Sequence, residues 1–322
     1  MQKLGVVLLL TCLGWVSCSP TTEKETTPPV EVDTPVPEAI SLAGQELFPP
    51  KETAAGLAKK DSLLQLAQVN FDADSTNLEN IVWLGRRLAY LSRYREAIGV
   101  FTSGLQVHPN SPELYRHRGH RYLSTRKFDL AIADFAKAAE LVAGRPIEIE
   151  PDGLPNKLNI PLSNLQFNIW YHWALAYYLK GDFEKAAELY EDCQTYSSNP
   201  DLLTATSDWH YMTLRRLGKL NEAEAVLEAI TPELEIIENA SYFNRLLMYK
   251  GVKKPEDLLD LNNTDPDQLL NIVTQGYGVG NWYLYNGDTE KAKEVFDRIL
   301  ATSYWSAFGY IAAEADAVRM GE

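Results

Sequence analysis

The chain has 322 residues and sets 44 Asp and Glu against 30 Lys and Arg, for a formal net charge of −14. So acidic a balance excludes a nucleic-acid or anionic-membrane binder driven by bulk charge, because phosphate contacts need a basic surface. With 45% hydrophobic and 11% aromatic residues the chain can bury a core, which excludes a wholly disordered protein.

Residues 1–17 read as a secretory signal peptide. Lys3 supplies a charged start, and Leu4 to Val16 is an apolar run too short to span a bilayer as a helix. The next residues, Ser17-Cys18-Ser19-Pro20, resemble the lipobox of bacterial lipoproteins, with Trp15 where such boxes usually carry Leu. That resemblance implies cleavage before Cys18 and lipidation of its thiol. Cys12, after Leu9-Leu10-Thr11, is a weaker competitor, and an ordinary secretory signal with an incidental cysteine is the plainer alternative. With Cys12 in the signal and Cys18 acylated, Cys193 stands alone and no intramolecular disulfide can form. Residues 18–45 are rich in Pro, Thr and Glu, too polar to offset the entropy of ordering, and are expected to form a flexible tether. Residues 46–77 are expected to hold an N-terminal capping helix with Leu57, Leu63, Leu64 and Leu66 among its apolar positions.

A repeat begins near residue 78. Gly85 and Gly119 are 34 residues apart, as are Ala97 and Ala131, Phe101 and Phe135, and Leu88 and Tyr122. Four positions returning in one phase are a repeat rather than a helical coincidence. The small residues allow paired helices to approach closely, and the Phe side chains fill the gap toward the next unit. A third unit follows at 55 residues, with Trp170, Ala174, Tyr177, Ala186 and Tyr190 matching Tyr115, Gly119, Tyr122, Ala131 and Phe135. The surplus is an insertion at 146–161, where Ile147 and Ile149 alternate ahead of Pro151-Asp152-Gly153; it reads as a hairpin or ordered loop. A degenerate fourth unit carries Gly218 to Ala223, with Tyr211 at its small-residue position. A worn fifth near 239–272 contains Pro255 and Pro266, and a clear sixth has Gly280, Tyr283, Ala292 and Phe296. Residues 307–322 are expected to end a C-terminal helix that covers the last open face.

These residues resemble the tetratricopeptide repeat family, whose pattern of an aromatic, Leu-Gly, Tyr, then Ala-x3-Phe and Pro describes two antiparallel helices per unit. The resemblance covers about 78–306 and implies an all-α, right-handed superhelical solenoid of helix-turn-helix repeats with one short hairpin-like insertion. It implies a concave scaffold for peptides or partner subunits, and it says little about which partner.

No composition of residues points to catalysis, and the reading is of a protein that is not an enzyme and has no cofactor. His117 and His120 lie three apart on one predicted helix but lack a third and fourth ligand, so no metal site is expected. Asp72-x-Asp74 starts like a calcium loop but has Asn77 at its sixth position and Trp83 where a glutamate is needed. Cys193 falls at the small-residue position of a second helix and reads as a buried structural thiol.

In this family the groove generally takes repeat positions 2, 5, 9 and 12 of the first helix. Carried over, they give Arg86, Arg116, His120, Tyr171, Tyr178, Arg215, Tyr277 and Asn281 as partner-binding candidates. Tyr115-Arg116-His117-Arg118-Gly119-His120-Arg121-Tyr122 is a basic island in an acidic chain, bordered by Glu79 and Glu113. The leading expectation is a non-catalytic scaffold lipoprotein of the bacterial cell envelope that binds a peptide or protein partner, held by lipid alone to the outer membrane and facing the periplasm or the surface, without nucleic acid. The alternative is a small-ligand or glycan-binding accessory lipoprotein stacking its ligand on Tyr171, Tyr178 and Tyr277. If Cys18 carries the lipid, Cys18→Ala turns a protein that fractionates with membranes and needs detergent into a soluble one. Unchanged fractionation removes the anchor.

Overall fold

The computed structural model describes residues 36–261 and 269–321. The expected signal peptide, Cys18 and most of the expected tether lie outside the described residues, as does Pro266. Within them the chain is an all-α solenoid of helix pairs. A short antiparallel hairpin of β1 (Ala39–Ile40) and β2 (Glu46–Leu47) precedes α1 (Ala54–Ala73). Unit one is α2 (Leu78–Tyr90) and α3 (Tyr94–Val107), and unit two is α4 (Pro112–Ser124) and α5 (Phe128–Val142). After the insertion come α6 (Leu165–Lys180) with α7 (Phe183–Gln194), then α8 (Pro200–Arg216) with the shorter α9 (Leu220–Val226). The worn fifth unit is α10 (Ala240–Tyr249) and the one-turn α11 (Pro255–Leu258). The sixth is α12 (Leu269–Tyr285) and α13 (Thr289–Leu300), and α14 (Phe308–Gly321) ends the chain.

Local chemistry sets these boundaries. The first helices of units one to four start on Asn77, Ser111, Asn164 and Asn199, whose side chains accept from backbone amides three residues on. The turns inside the units need one left-handed residue. Gly181, Gly218 and Gly287 supply it without strain, whereas units one and two place Ser92 (φ 59°) and Arg126 (φ 61°) there.

The phase residues meet as their spacing predicts. A Cβ on Gly85 would stand 2.3 Å from the Phe101 ring, and one on Gly119 3.0 Å from that of Phe135. Each Phe also reaches the next unit: the Phe101 ring stacks on His117 and that of Phe135 on His172. First helices pack on one another along α2, α4, α6 and α8, and α10 sits between α8 and α12.

Two elements depart from a plain open solenoid. Residues 38–48, expected as the end of the tether and the start of the cap, are instead a hairpin fixed to the helices: the Arg95 amide donates to Glu38 (2.9 Å) and Trp305 Nε1 to the Phe48 carbonyl (2.6 Å). The C-terminal helix α14 does more than cover the last unit, because it packs on α6 as well as on α12 and α13. Glu314, buried, accepts from Arg126 in the α4–α5 turn (2.6 and 2.9 Å) and from the Leu42 amide (2.7 Å). Asp316, fully buried, accepts from Arg216 of α8 (2.8 Å), Tyr277 of α12 (2.9 Å) and Arg319 (2.7 Å). Asp316→Ala leaves Arg216 partly buried without its carboxylate and should cost about 3–5 kcal/mol, read by chemical denaturation. A loss below about 1 kcal/mol would show that α14 is not held by this group.

Candidate functional site

The eight groove candidates divide into three groups. Tyr178, Tyr277 and Asn281 are 0% exposed and Tyr171 is 5% exposed, so the face they share is filled. The Tyr178 and Tyr277 hydroxyls bond each other, Tyr277 passes on to Asp316, and Arg216 Nη1 donates to the Asn281 oxygen (3.1 Å). Burial raises the proton affinity of these phenols and keeps them neutral. The stacking platform expected of Tyr171, Tyr178 and Tyr277 is therefore not available to a ligand: these rings are part of the core. Arg215 stands apart, donating to the Tyr211 hydroxyl and to Asn286 (both 2.8 Å). Arg86, Arg116 and His120 do come together, at the N-terminal end of the concave face.

There the insertion covers them. It is hairpin-like only at its base, where the Glu150 amide donates to the Ser163 carbonyl (3.1 Å) and the Leu165 amide to that of Glu148 (2.8 Å). Beyond that it is an ordered loop laid across α2. Arg86 Nη2 donates to the Pro151 carbonyl (2.9 Å) and Arg87 Nη1 to the Gly153 carbonyl (3.0 Å). Gly153 lets the loop lie close on Tyr90: a Cβ there would stand 1.7 Å from the Tyr90 hydroxyl, so a larger residue would displace that ring. Glu150 reaches under the loop to Arg116 (3.0 Å) and lies 3.7 Å from His117 Nε2, and Asn168 also donates to it. The basic island thus meets a carboxylate of its own chain. Among 44 Asp and Glu, residue type alone does not single out Glu150. The signal in the sequence is the alternation Ile147-Glu148-Ile149-Glu150, which sends both carboxylates to one side.

Two hollows that share wall residues lie at this end. The larger, about 470 Å³, lies between α2, α4 and the insertion, with Leu78, Val82, Trp83, Ile149 and Leu165 in its walls and Glu79, Glu113 and Glu148 around them. The smaller, about 130 Å³, is walled by Arg86, Tyr90, Phe101, Arg116, His120 and Arg121. Arg86 and His117 border both.

The histidines around this end are neutral. Burial first, and then the neighbouring arginines, hold His117 and His120 well below the usual imidazole range and push His172 down to about 3. Arg116 Nη1 donates to His117 Nδ1 (2.9 Å), which leaves the proton of His117 on Nε2, facing Glu150. His172 Nδ1 donates to the Asn168 carbonyl (2.6 Å), and its ring stacks on His120. His210, buried in α8, is pushed down to about 4 by the same desolvation. Cys193 is fully buried, its thiol pushed up to about 12, and is inert.

Family models described as tetratricopeptide repeat match residues 84–146 and 167–200. Among solved structures, the chain is similar to YrrB, titled a TPR protein with an unusual peptide-binding site, at 14% identity over 74% of this chain and 92% of that one, with a TM-score of 0.40. It is also similar to Naa15/Naa10 bound to HypK-THB, at 15% identity over 75% of this chain and 34% of that one, with a TM-score of 0.35. No curated protein matches.

Because these histidines are held neutral in the folded chain and take up protons near 6.5 when it unfolds, the unfolded state binds more protons below that pH. Stability should therefore be full above about pH 7 and fall by more than about 1 kcal/mol by pH 5, as followed by urea denaturation. The slope should shrink in His172→Phe. An unchanged slope would remove His172 from the linkage.

Proposed function

We propose that this chain, whose residues 84–146 and 167–200 match tetratricopeptide repeat models, is a non-catalytic scaffold that holds a peptide or protein partner at the bacterial cell envelope, tethered by lipid on Cys18. One observation carries the binding part of this reading: α14 fills the middle of the concave face, yet the cleft between α2, α4 and the insertion stays open. Its walls combine a floor of Leu78, Val82 and Trp83 with a side of Ile149 and Leu165, the apolar pocket with few polar groups that a side-chain anchor needs.

The rim sets the chemistry of the partner. Glu79, Glu113 and Glu148 stand around the cleft, and Arg86 is held against a backbone carbonyl and the face of Trp83 (4.4 Å). An acidic segment is repelled by the first three. A segment with an aliphatic or aromatic anchor next to a Lys or Arg fits both the walls and the rim. Arg86 and Arg116, the expected carboxylate contacts, serve instead to hold the insertion that makes one wall.

Envelope localisation is supported by the signal-like residues 1–17 and by the lipobox resemblance at Cys18. The test is a crosslinking capture from native envelopes, with a photoreactive residue at position 149, comparing the wild-type chain with Val82→Arg. The arginine fills the cleft and leaves α2 helical, so the captured partner should bind at least about tenfold more weakly at an unchanged circular-dichroism signal. Equal binding would place the partner elsewhere on the solenoid.

A further inference from the structure

The smaller hollow is a different kind of site, and its reading does not rest on the partner proposed above. Three guanidiniums border it, from Arg86, Arg116 and Arg121, together with the neutral rings of His117 and His120. The carboxylates that act on this cluster are Glu150, paired to Arg116, and Asp152, near Arg86, so three positive charges face two negative ones. The donors are also unequally used. Arg86 is taken up by the Pro151 carbonyl and the Tyr90 hydroxyl. Arg116 is 9% exposed, and its Nε has no acceptor among the described residues. Arg121, half-buried, faces the Tyr94 ring at 5.4 Å, and the charges that act on it most strongly are those of Arg116 and Arg86, both positive. Burial brings its proton affinity down to about 10, so it stays charged at neutral pH.

Three guanidiniums set close together are costly to keep charged, and the buried Arg116 Nε without an acceptor adds to that cost. The hollow of about 130 Å³ has room for about four waters at about 30 Å³ each, which a five-atom ion fills and a nucleotide does not. A carboxylate offers two oxygens and is satisfied by one guanidinium. Here Arg116 Nε and the Arg121 fork come from α4, and the Tyr90 hydroxyl comes from α2. Donors from two helices fit an ion with oxygens on several sides.

We propose that the hollow bounded by Arg86, Tyr90, Arg116, His120 and Arg121 is a binding site for a small tetrahedral oxyanion of the phosphate class. The ion completes the charge balance beneath the insertion and accepts from Arg116 Nε and the Arg121 guanidinium. It thereby ties α2 and α4 together behind the open cleft.

The test is calorimetric titration of the full chain with inorganic phosphate at constant ionic strength, chloride replacing phosphate in the control. The expected result is saturable heat, with a melting temperature raised by roughly 3 °C at saturation. Arg121→Gln should weaken phosphate at least about tenfold. If Arg121→Gln does not fold, Arg121→Lys carries the test, because a single ammonium keeps the charge and loses the fork; it too should bind phosphate several-fold more weakly. Three results would each overturn the proposal: no saturable heat with the wild-type chain, equal phosphate affinity in the Arg121 variant that folds, or acetate binding as tightly as phosphate.

Discussion

Two carboxylates on one helix decide how much of this solenoid is open. Glu314 and Asp316 are two residues apart on α14, so at 3.6 residues per turn they project from nearly opposite sides of it. One reaches Arg126 in unit two and the Leu42 amide of the N-terminal hairpin, and the other reaches Arg216 and Tyr277 in units four and six. Both are buried, and each is met by more than one donor, the condition under which a buried carboxylate stabilises rather than strains its surroundings. With both sides engaged, α14 fills the curve of the stack, and what stays open is the end that α14 does not reach.

The helix pairs were legible in the sequence because their causes are local. The Gly85–Phe101 and Gly119–Phe135 contacts lie inside single units, and the capping residues Asn77, Ser111, Asn164 and Asn199 act within one turn. The sixth unit was legible for the same reason, through Gly280 and Phe296. The site was not legible in this way. A repeat position tells which face of a helix a residue is on, and Tyr178, Tyr277 and Asn281 turn out to be fully buried. It cannot tell what covers that face, because the covering contacts join residues such as Arg126 and Glu314, 188 positions apart, with no periodicity to announce them. Glu150 was missed likewise: its partner Arg116 lies on another element, and an acidic chain offers many glutamates.

The electrostatics at the N-terminal end follow from burying a basic patch inside an acidic protein. The patch keeps its charge on arginine, which does not lose its proton at neutral pH, while the imidazoles beside it stay neutral. Glu150 is the insertion's contribution to that balance, and the hydrogen bonds from Arg86 and Arg87 to the loop's own carbonyls make the same segment a wall of the cleft. One loop therefore serves two ends, neutralising part of the cluster and shaping an apolar pocket, and the close approach that Gly153 permits brings it onto Tyr90 and Arg86.

This arrangement separates the two hollows by chemistry although they share wall residues. Arg86 and His117 stand at their boundary, with the aliphatic walls and the glutamates on one side and the guanidiniums on the other. A long acidic ligand entering from the cleft would have to pass Glu79, Glu113 and Glu148 before it met a positive charge, and it would then compete with Glu150, which is already in place and already hydrogen-bonded. A small anion filling the inner hollow and a basic, apolar-anchored segment filling the outer one face no such conflict. Each meets complementary charge in its own space, and the insertion between them has no need to move.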